Sequence, residues 1–298
     1  MEGGLAVEDR KVGRDRAHPM AGMDSFSPPE IARLVETRGV AKANAADVTT
    51  LALAVMAGAF IALGGVLSTI ISTGSTLGFG PTRFLAGVGF SVGLILVVVG
   101  GAELFTGNNL VVMSWVSGHI KLGRLLRNWT IVYAGNLVGA LSVVAMVHLG
   151  TWWEQGDHAV GATALSIAAT KAALPFWVVF VRGILANALV CLAVWLASGG
   201  RSVTDKVFAI IFPIAAFVAS GFEHSVANMY FVPLGLLLSD GPEVLQAAAL
   251  PAGQLAHLDV GGAIGNIVAA TLGNIVGGAV LVGLVYWFVY LAPGRGEG

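Results

Sequence analysis

The chain has 298 residues, of which 56% are hydrophobic and only 11% charged, with a formal net charge of -1. An ordinary soluble domain carries about a quarter charged residues, so the composition points to lipid. The sparse, balanced charge excludes nucleic acid as a partner, because no basic stripe can be built from it.

The segment Met1 to Asp24 is polar and mixed in charge, without the apolar stretch and small-residue cleavage site of a signal peptide. Ser27-Pro28-Pro29-Glu30 then reads as a helix start, with a serine cap, prolines suited to the first turn and an acid favoured by the helix dipole. From Glu30 to Ala43, Ile31, Leu34 and Val35 share one face while Arg33, Glu36 and Arg38 fall largely elsewhere. This predicts an amphipathic helix that either lies at the membrane edge or packs on its own protein. Six apolar stretches follow, each meeting the roughly 20 residues that a membrane crossing needs. They run from Val48 to Ser72, Phe84 to Val116, Asn128 to Leu149, Ala172 to Ala197, Val207 to Leu238 and Val260 to Leu291. Cys191, the only cysteine, sits in the fourth and reads as core. The 41 glycines suit helices packed closely through small residues.

Most of the 16 basic residues fall before the first span, between spans two and three, between four and five, or after six; Arg83, Lys171 and Arg182 are the exceptions. The positive-inside rule therefore places both termini in the cytoplasm of a cell with this protein in its inner membrane. The expected organisation is a cytoplasmic tail with the amphipathic helix (1–46), a transmembrane channel domain (47–291) and a short cytoplasmic tail (292–298).

The second and fifth spans share a frame: Gly101, Glu103 and Asn108 recur as Gly221, Glu223 and Asn228. The third and sixth share another, Gly135-Asn136-Leu137-Val138-Gly139 against Gly273-Asn274-Ile275-Val276-Gly277. Two echoes in the same order indicate an internal repeat (47–150 and 171–291), and three crossings per copy make the copies inverted. The fold class is therefore all-α and polytopic, with six transmembrane helices in two inverted three-helix repeats, helices 2 and 5 being broken. A polar, glycine-bearing break is tolerated at that depth only where protein or a wet cavity satisfies the freed backbone groups.

A helix start at each break is expected to offer unpaired N–H groups and a partial positive charge to a small anion. Glu103 and Glu223 read as acceptors for exposed backbone donors, with proton carriage as the alternative, and Asn108, Asn228, Asn136 and Asn274 as bridges or caps. His224 is the one histidine expected near the midplane, and its imidazole can exchange a proton near neutrality. Thr106 and Ser225 supply hydroxyls at the breaks, and the repeat symmetry predicts a hydrogen bond from Thr106 to His224 unless both hydroxyls only cap carbonyls. Lys171 is expected to open the fourth span from outside, as a mouth cation or a snorkelling residue, with Asn187 about four turns deeper on the same helix. Arg182, inside its span, should pair with an acid or a neighbouring subunit.

These residues resemble the formate/nitrite transporter family from Ser27 to the end of span six. The carriers are Ser27–Ile31 with Gly39–Ala43, Glu103–Asn108, Asn187–Trp195, Gly199–Ser202, Gly221–Met229 and Gly273–Gly278. The resemblance implies an aquaporin-like protomer in a homopentamer, with one path for formate or nitrite in each protomer. It implies that Leu104, Phe105 and Thr106 form a mobile loop, that Thr106 bonds His224, and that Lys171 and Asn187 attract the anion at the outer vestibule. Phe90, Leu94, Val190 and Phe217 fall where the family has apolar constrictions. The implied mechanism is protonation of the anion by way of His224 and passage as the neutral acid. Hydrosulfide or another weak-acid anion is the alternative cargo; an aquaporin-type channel is less suitable because both breaks lack Asn-Pro-Ala. An embedded enzyme is disfavoured because no base orients Ser225 and no side chains have metal-ligand spacing, so neither metal nor cofactor is expected. A scaffold would leave the repeated breaks unexplained.

Overall fold

A computed structural model describes residues 25–251 and 253–292. The expectations for residues 1–24 and for the tail beyond Ala292 lie outside the described residues. Helix α1 (Pro28–Asn44) begins as the sequence predicts: Glu30 Oε2 accepts from the Ser27 amide at 2.8 Å and from its hydroxyl at 2.7 Å. Its buried face, Ile31, Val35 and Ala43, packs with Leu110, Met113 and Trp195, so α1 belongs to the protein's own core.

Helices α2 (Asp47–Ser72) and α3 (Phe79–Gly100) follow. At Gly101 the chain turns left-handed (φ 82°), a conformation glycine adopts without a Cβ penalty, and α3 stops. After an irregular stretch come a 3₁₀ turn (Gly107–Val111), the short α4 (Val112–Val116) and the long α5 (Leu122–Leu149). Next is α6 (Ala159–Ala172), in a stretch the sequence assigns to an outer loop. Its 14 residues rise about 21 Å, too little to cross alone, which is why a span-length criterion passes over it. Leu165, Ala168 and Ala169 are nonetheless fully buried. Pro175 separates α6 from α7 (Phe176–Gly199).

Helix α8 (Val203–Ala219) ends near Gly221, again left-handed (φ 70°), and α9 (Ser225–Leu238) resumes four residues later. After α10 (Pro242–Ala248), helix α11 (Val260–Ile275) passes through a π-helical stretch (Val276–Leu284) into α12 (Val285–Tyr290). Helices α2, α3, α5, α7 and the continuous Val260–Tyr290 run are long and apolar enough to cross a membrane.

The echoed glycine motifs have a packing cause. A Cβ on Gly139 would strike the Val55 carbonyl and one on Gly277 the Ile184 carbonyl, so α5 lies against α2, and the α11 run against α7, at distances only glycine permits.

Candidate functional site

Each break is held by an asparagine from a glycine motif. Asn136 Oδ1 accepts from the Phe105 amide at 2.9 Å, while its Nδ2 donates to Ala54 O at 2.8 Å and Glu103 O at 2.9 Å. Asn274 repeats this bond for bond: Oδ1 accepts from the Ser225 amide at 2.9 Å, and Nδ2 donates to Gly183 O at 2.8 Å and Glu223 O at 3.0 Å. These amides supply the hydrogen bonds that a break in the membrane interior otherwise lacks.

The carboxylates form a second matched pair of networks. Lys42 Nζ donates to Glu103 Oε1 and Asn108 Oδ1, both at 2.9 Å; Asn108 Nδ2 donates to Glu103 Oε2 and Asn128 Oδ1, and Asn128 Nδ2 returns to Lys42 O. In the other half, Lys171 Nζ donates to both oxygens of Glu223 at 3.0 and 3.1 Å; Asn228 Nδ2 donates to Glu223 Oε2 and Asn266 Oδ1, and Asn266 Nδ2 returns to Lys171 O. They differ in the lysine's second bond, which goes to Asn108 Oδ1 in one half and to Glu223 Oε2 in the other. Among the described residues Asn228 Oδ1 is buried without a hydrogen-bond partner, whereas Asn108 Oδ1 receives Lys42.

Between the networks, Thr106 Oγ1 and His224 Nε2 are 3.0 Å apart, the hydrogen bond expected from the symmetry of the breaks. His224 also caps α9: its Nδ1 accepts from the Ala227 amide at 3.0 Å. An acceptor at Nδ1 leaves Nε2 as the protonated nitrogen of the neutral ring, so the imidazole donates to Thr106. Phe217 stacks on the imidazole with centroids 5.9 Å apart. The Thr106 carbonyl is held by Asn187 Nδ2 and Cys191 Sγ, both at 3.3 Å.

Two cavities approach this pair from opposite ends of α3. The first, of about 260 Å³, is lined by Arg38, Lys42, Leu94, Glu103, Leu104, Asn108 and Lys206 among others. The second, of about 590 Å³, is lined by Arg83, Phe90, Lys171, Arg182, Phe217, Glu223, His224 and Phe231 among others. Phe90 and Leu94 are one turn apart on α3 and face different cavities. The two residues stand about 6 Å apart along the helix and mark the apolar floor between the cavities. Phe90 meets Phe217 edge to face at 5.6 Å and Phe231 at 6.4 Å.

Several expectations need correcting. Lys171 lies in the last turn of α6, not on the helix of Asn187, because Pro175 divides them. Asn187 faces neither cavity; it is fully buried and donates to Thr106 O, Asn109 Oδ1 and Asn274 O. Glu103 and Glu223 receive lysine and asparagine side chains where backbone donors were expected. Of the amides at the breaks, those of Phe105, Ser225 and Ala227 are already accepted, by Asn136, Asn274 and His224. Cationic side chains line both cavities, Arg38, Lys42 and Lys206 in one and Arg83, Lys171 and Arg182 in the other. Arg182 makes no ion pair among the described residues and reaches the Gly221 carbonyl at 3.5 Å. Phe105 turns away from the cavities onto Tyr133 and Trp129, at 4.9 and 6.0 Å, while Val190 is core and lines neither cavity. Sequence reasoning passed over Lys42, Asn128 and Asn266 as members of the site. Lys42 counted only as a cytoplasmic charge and a motif residue, although it stands to Glu103 as Lys171 does to Glu223.

A bundle of membrane helices entered from both ends by cavities that carry charged side chains and end near neighbouring turns of α3 is the architecture of a membrane transporter or channel. The chain belongs to the formate/nitrite transporter family: the family model described as "Formate/nitrite transporter" matches residues 29–288. This places it among transporters, not enzymes. It is 43% identical over 272 residues to the formate channel FocA of Escherichia coli K12, covering 90% of this chain and 95% of that protein. The FocA of Haemophilus influenzae is 38% identical over 264 residues, with 87% and 93% covered. Among solved structures, a pentameric formate channel with formate bound superposes with a TM-score of 0.76 at 40% identity, over 82% of this chain and 98% of that one. An FNT family ion channel superposes with a TM-score of 0.73 at 29% identity, over 87% and 98%.

Proposed function

We propose that the chain carries formate across the cytoplasmic membrane, and nitrite by the same path, as a homopentamer with one route per protomer and both termini in the cytoplasm. The lysine networks gather the anion in either cavity, and Phe90, Leu94, Leu104 and Phe217 form the apolar floor. Crossing even a thin dry floor as an ion carries a desolvation cost that the neutral acid largely avoids. The observation that carries this reading is the Thr106–His224 pair at the floor, with the imidazole lining the Lys171 cavity. The likeness to formate channels over nearly the full chain supports the cargo.

The cap at Nδ1 constrains how the proton moves. The ring is loaded at Nδ1 from the Lys171 cavity as the Ala227 amide lets go, and the anion takes the hydrogen at Nε2. The ring then returns to its resting tautomer by proton exchange with the cavity. Transport is thus tied to loosening of the first turn of α9. The test is formate flux in proteoliposomes at two pH values, with a competition series of nitrite and hydrosulfide. His224→Phe is expected to abolish proton-coupled uptake, and unchanged uptake in that variant overturns the mechanism.

A further inference from the structure

We propose that Arg83 and Arg182 form a binding site for free divalent oxyanions, of the sulfate or hydrogen phosphate type, at the mouth of the Lys171 cavity. Two arginines from different helices, α3 and α7, converge on the second break. Arg83 Nη2 donates to Val218 O at 2.8 Å and lies 3.1 Å from where a Cβ on Gly221 would stand; Arg182 Nη1 reaches Gly221 O at 3.5 Å. Both line the cavity, and among the described residues neither makes an ion pair. Glu223, the carboxylate lining that cavity, is already engaged by Lys171 and Asn228. The bonds made use one or two of each guanidinium's five donors.

The backbone bond at the break does not require these charges, because among the described residues the matched half makes it without an arginine, although its own cavity is lined by Arg38 and Lys206. The Arg182 carbonyl accepts from the Glu223 amide as the Leu53 carbonyl accepts from the Glu103 amide. That position needs a carbonyl, and leucine supplies it. Arg83 is likewise bonded to the last carbonyls of α8, whereas among the described residues no arginine bonds the last carbonyls of α3 at the first break. An arginine inside a span is costly and calls for a partner. Two planar forks with spare donors suit an anion that presents three or more oxygens and two charges. Formate, with two oxygens and one charge, fills only one fork. A divalent ion cannot shed its charge with a single proton, so it stays above the Phe90–Phe217 floor and occludes the route.

The site itself stands apart from the transport reading, and only the occlusion rests on it. The first experiment is calorimetric titration of the detergent-solubilised protein with sodium sulfate, against sodium chloride at matched ionic strength. Saturable binding of one sulfate per chain is expected, weakened at least about tenfold by Arg182→Leu and by Arg83→Gln, the scale of one lost charged contact. Sulfate and chloride acting alike overturns the proposal, as does an Arg182→Leu protein that titrates like wild type. Should the leucine variant fail to fold, Arg83→Gln decides in the same way. In proteoliposomes, sulfate is expected to slow formate flux, with relief in Arg182→Leu after normalisation to each protein's uninhibited flux. Sulfate binding without any formate flux would reject the transport reading and leave the site standing; flux without sulfate binding does the reverse.

Discussion

Glu103 and Glu223 each bind a lysine and an asparagine but differ in exposure, and that difference sets what each contributes. The Glu223 side chain is 3% exposed and its lysine 17%, against 13% and 32% for Glu103 and Lys42. Breaking a buried pair by removing one partner costs about 3–5 kcal/mol, and solvent screens a more exposed pair. Glu223→Gln is therefore expected to lower thermal stability in detergent more than Glu103→Gln does; equal losses would show that the two networks are screened alike. Thr106→Val removes the acceptor of the imidazole hydrogen and leaves a buried donor unpaired, a loss of about 1–3 kcal/mol. Differential scanning of the purified variant measures it, and stability equal to wild type would mean that His224 finds another acceptor.

The elements respond to changes that the side chains above do not report. Hydrogen bonds from the Ser27 hydroxyl and amide hold the Glu30 carboxyl below the ordinary carboxylate range. A depressed value in the folded protein means that these bonds stabilise the start of α1 above that range and are lost as pH falls through the folded value. Amide protection in the N-terminal half of α1, taken as exchange relative to the intrinsic rate at each pH, is expected to fall on acidification in wild type and to be insensitive to acid in Glu30→Gln. Where α7 meets α11, a Cβ on Gly183 would come within 2.9 Å of Ala270 O and 3.2 Å of Gly273 Cα. Gly183→Ala should cost about 1–3 kcal/mol of stability through overpacking, read as a lowered melting temperature. The repeated glycines and the two breaks were legible in sequence because a left-handed turn and a close helix approach each demand glycine. Helix α6 was not, because an apolar helix too short to cross has no distinct signature until something buries it.

Much of the surface remains apolar, Trp177 at 70% and Phe212 at 62% exposure among others, as lipid or neighbouring copies of the chain require. The proposed pentamer predicts a mass of five chains in a mild detergent, by light scattering with the detergent contribution removed. A monomeric mass with formate flux retained would make each protomer an independent route.

Membrane residence, the broken helices and the family follow from hydropathy and from residue types at fixed spacing, which are local properties of a chain; the bond between Thr106 and His224, far apart in the chain, was expected only from the repeat symmetry and the resemblance. The partners of Glu103 and Glu223, the buried position of Asn187 and the capped amides at the breaks do not follow from spacing. Each joins residues far apart in the chain, Lys42 with Glu103 and Asn187 with Thr106 among them. Hydrogen bonds act over about 3 Å, so their partners are chosen by how α1, α6 and α7 pack against the breaks.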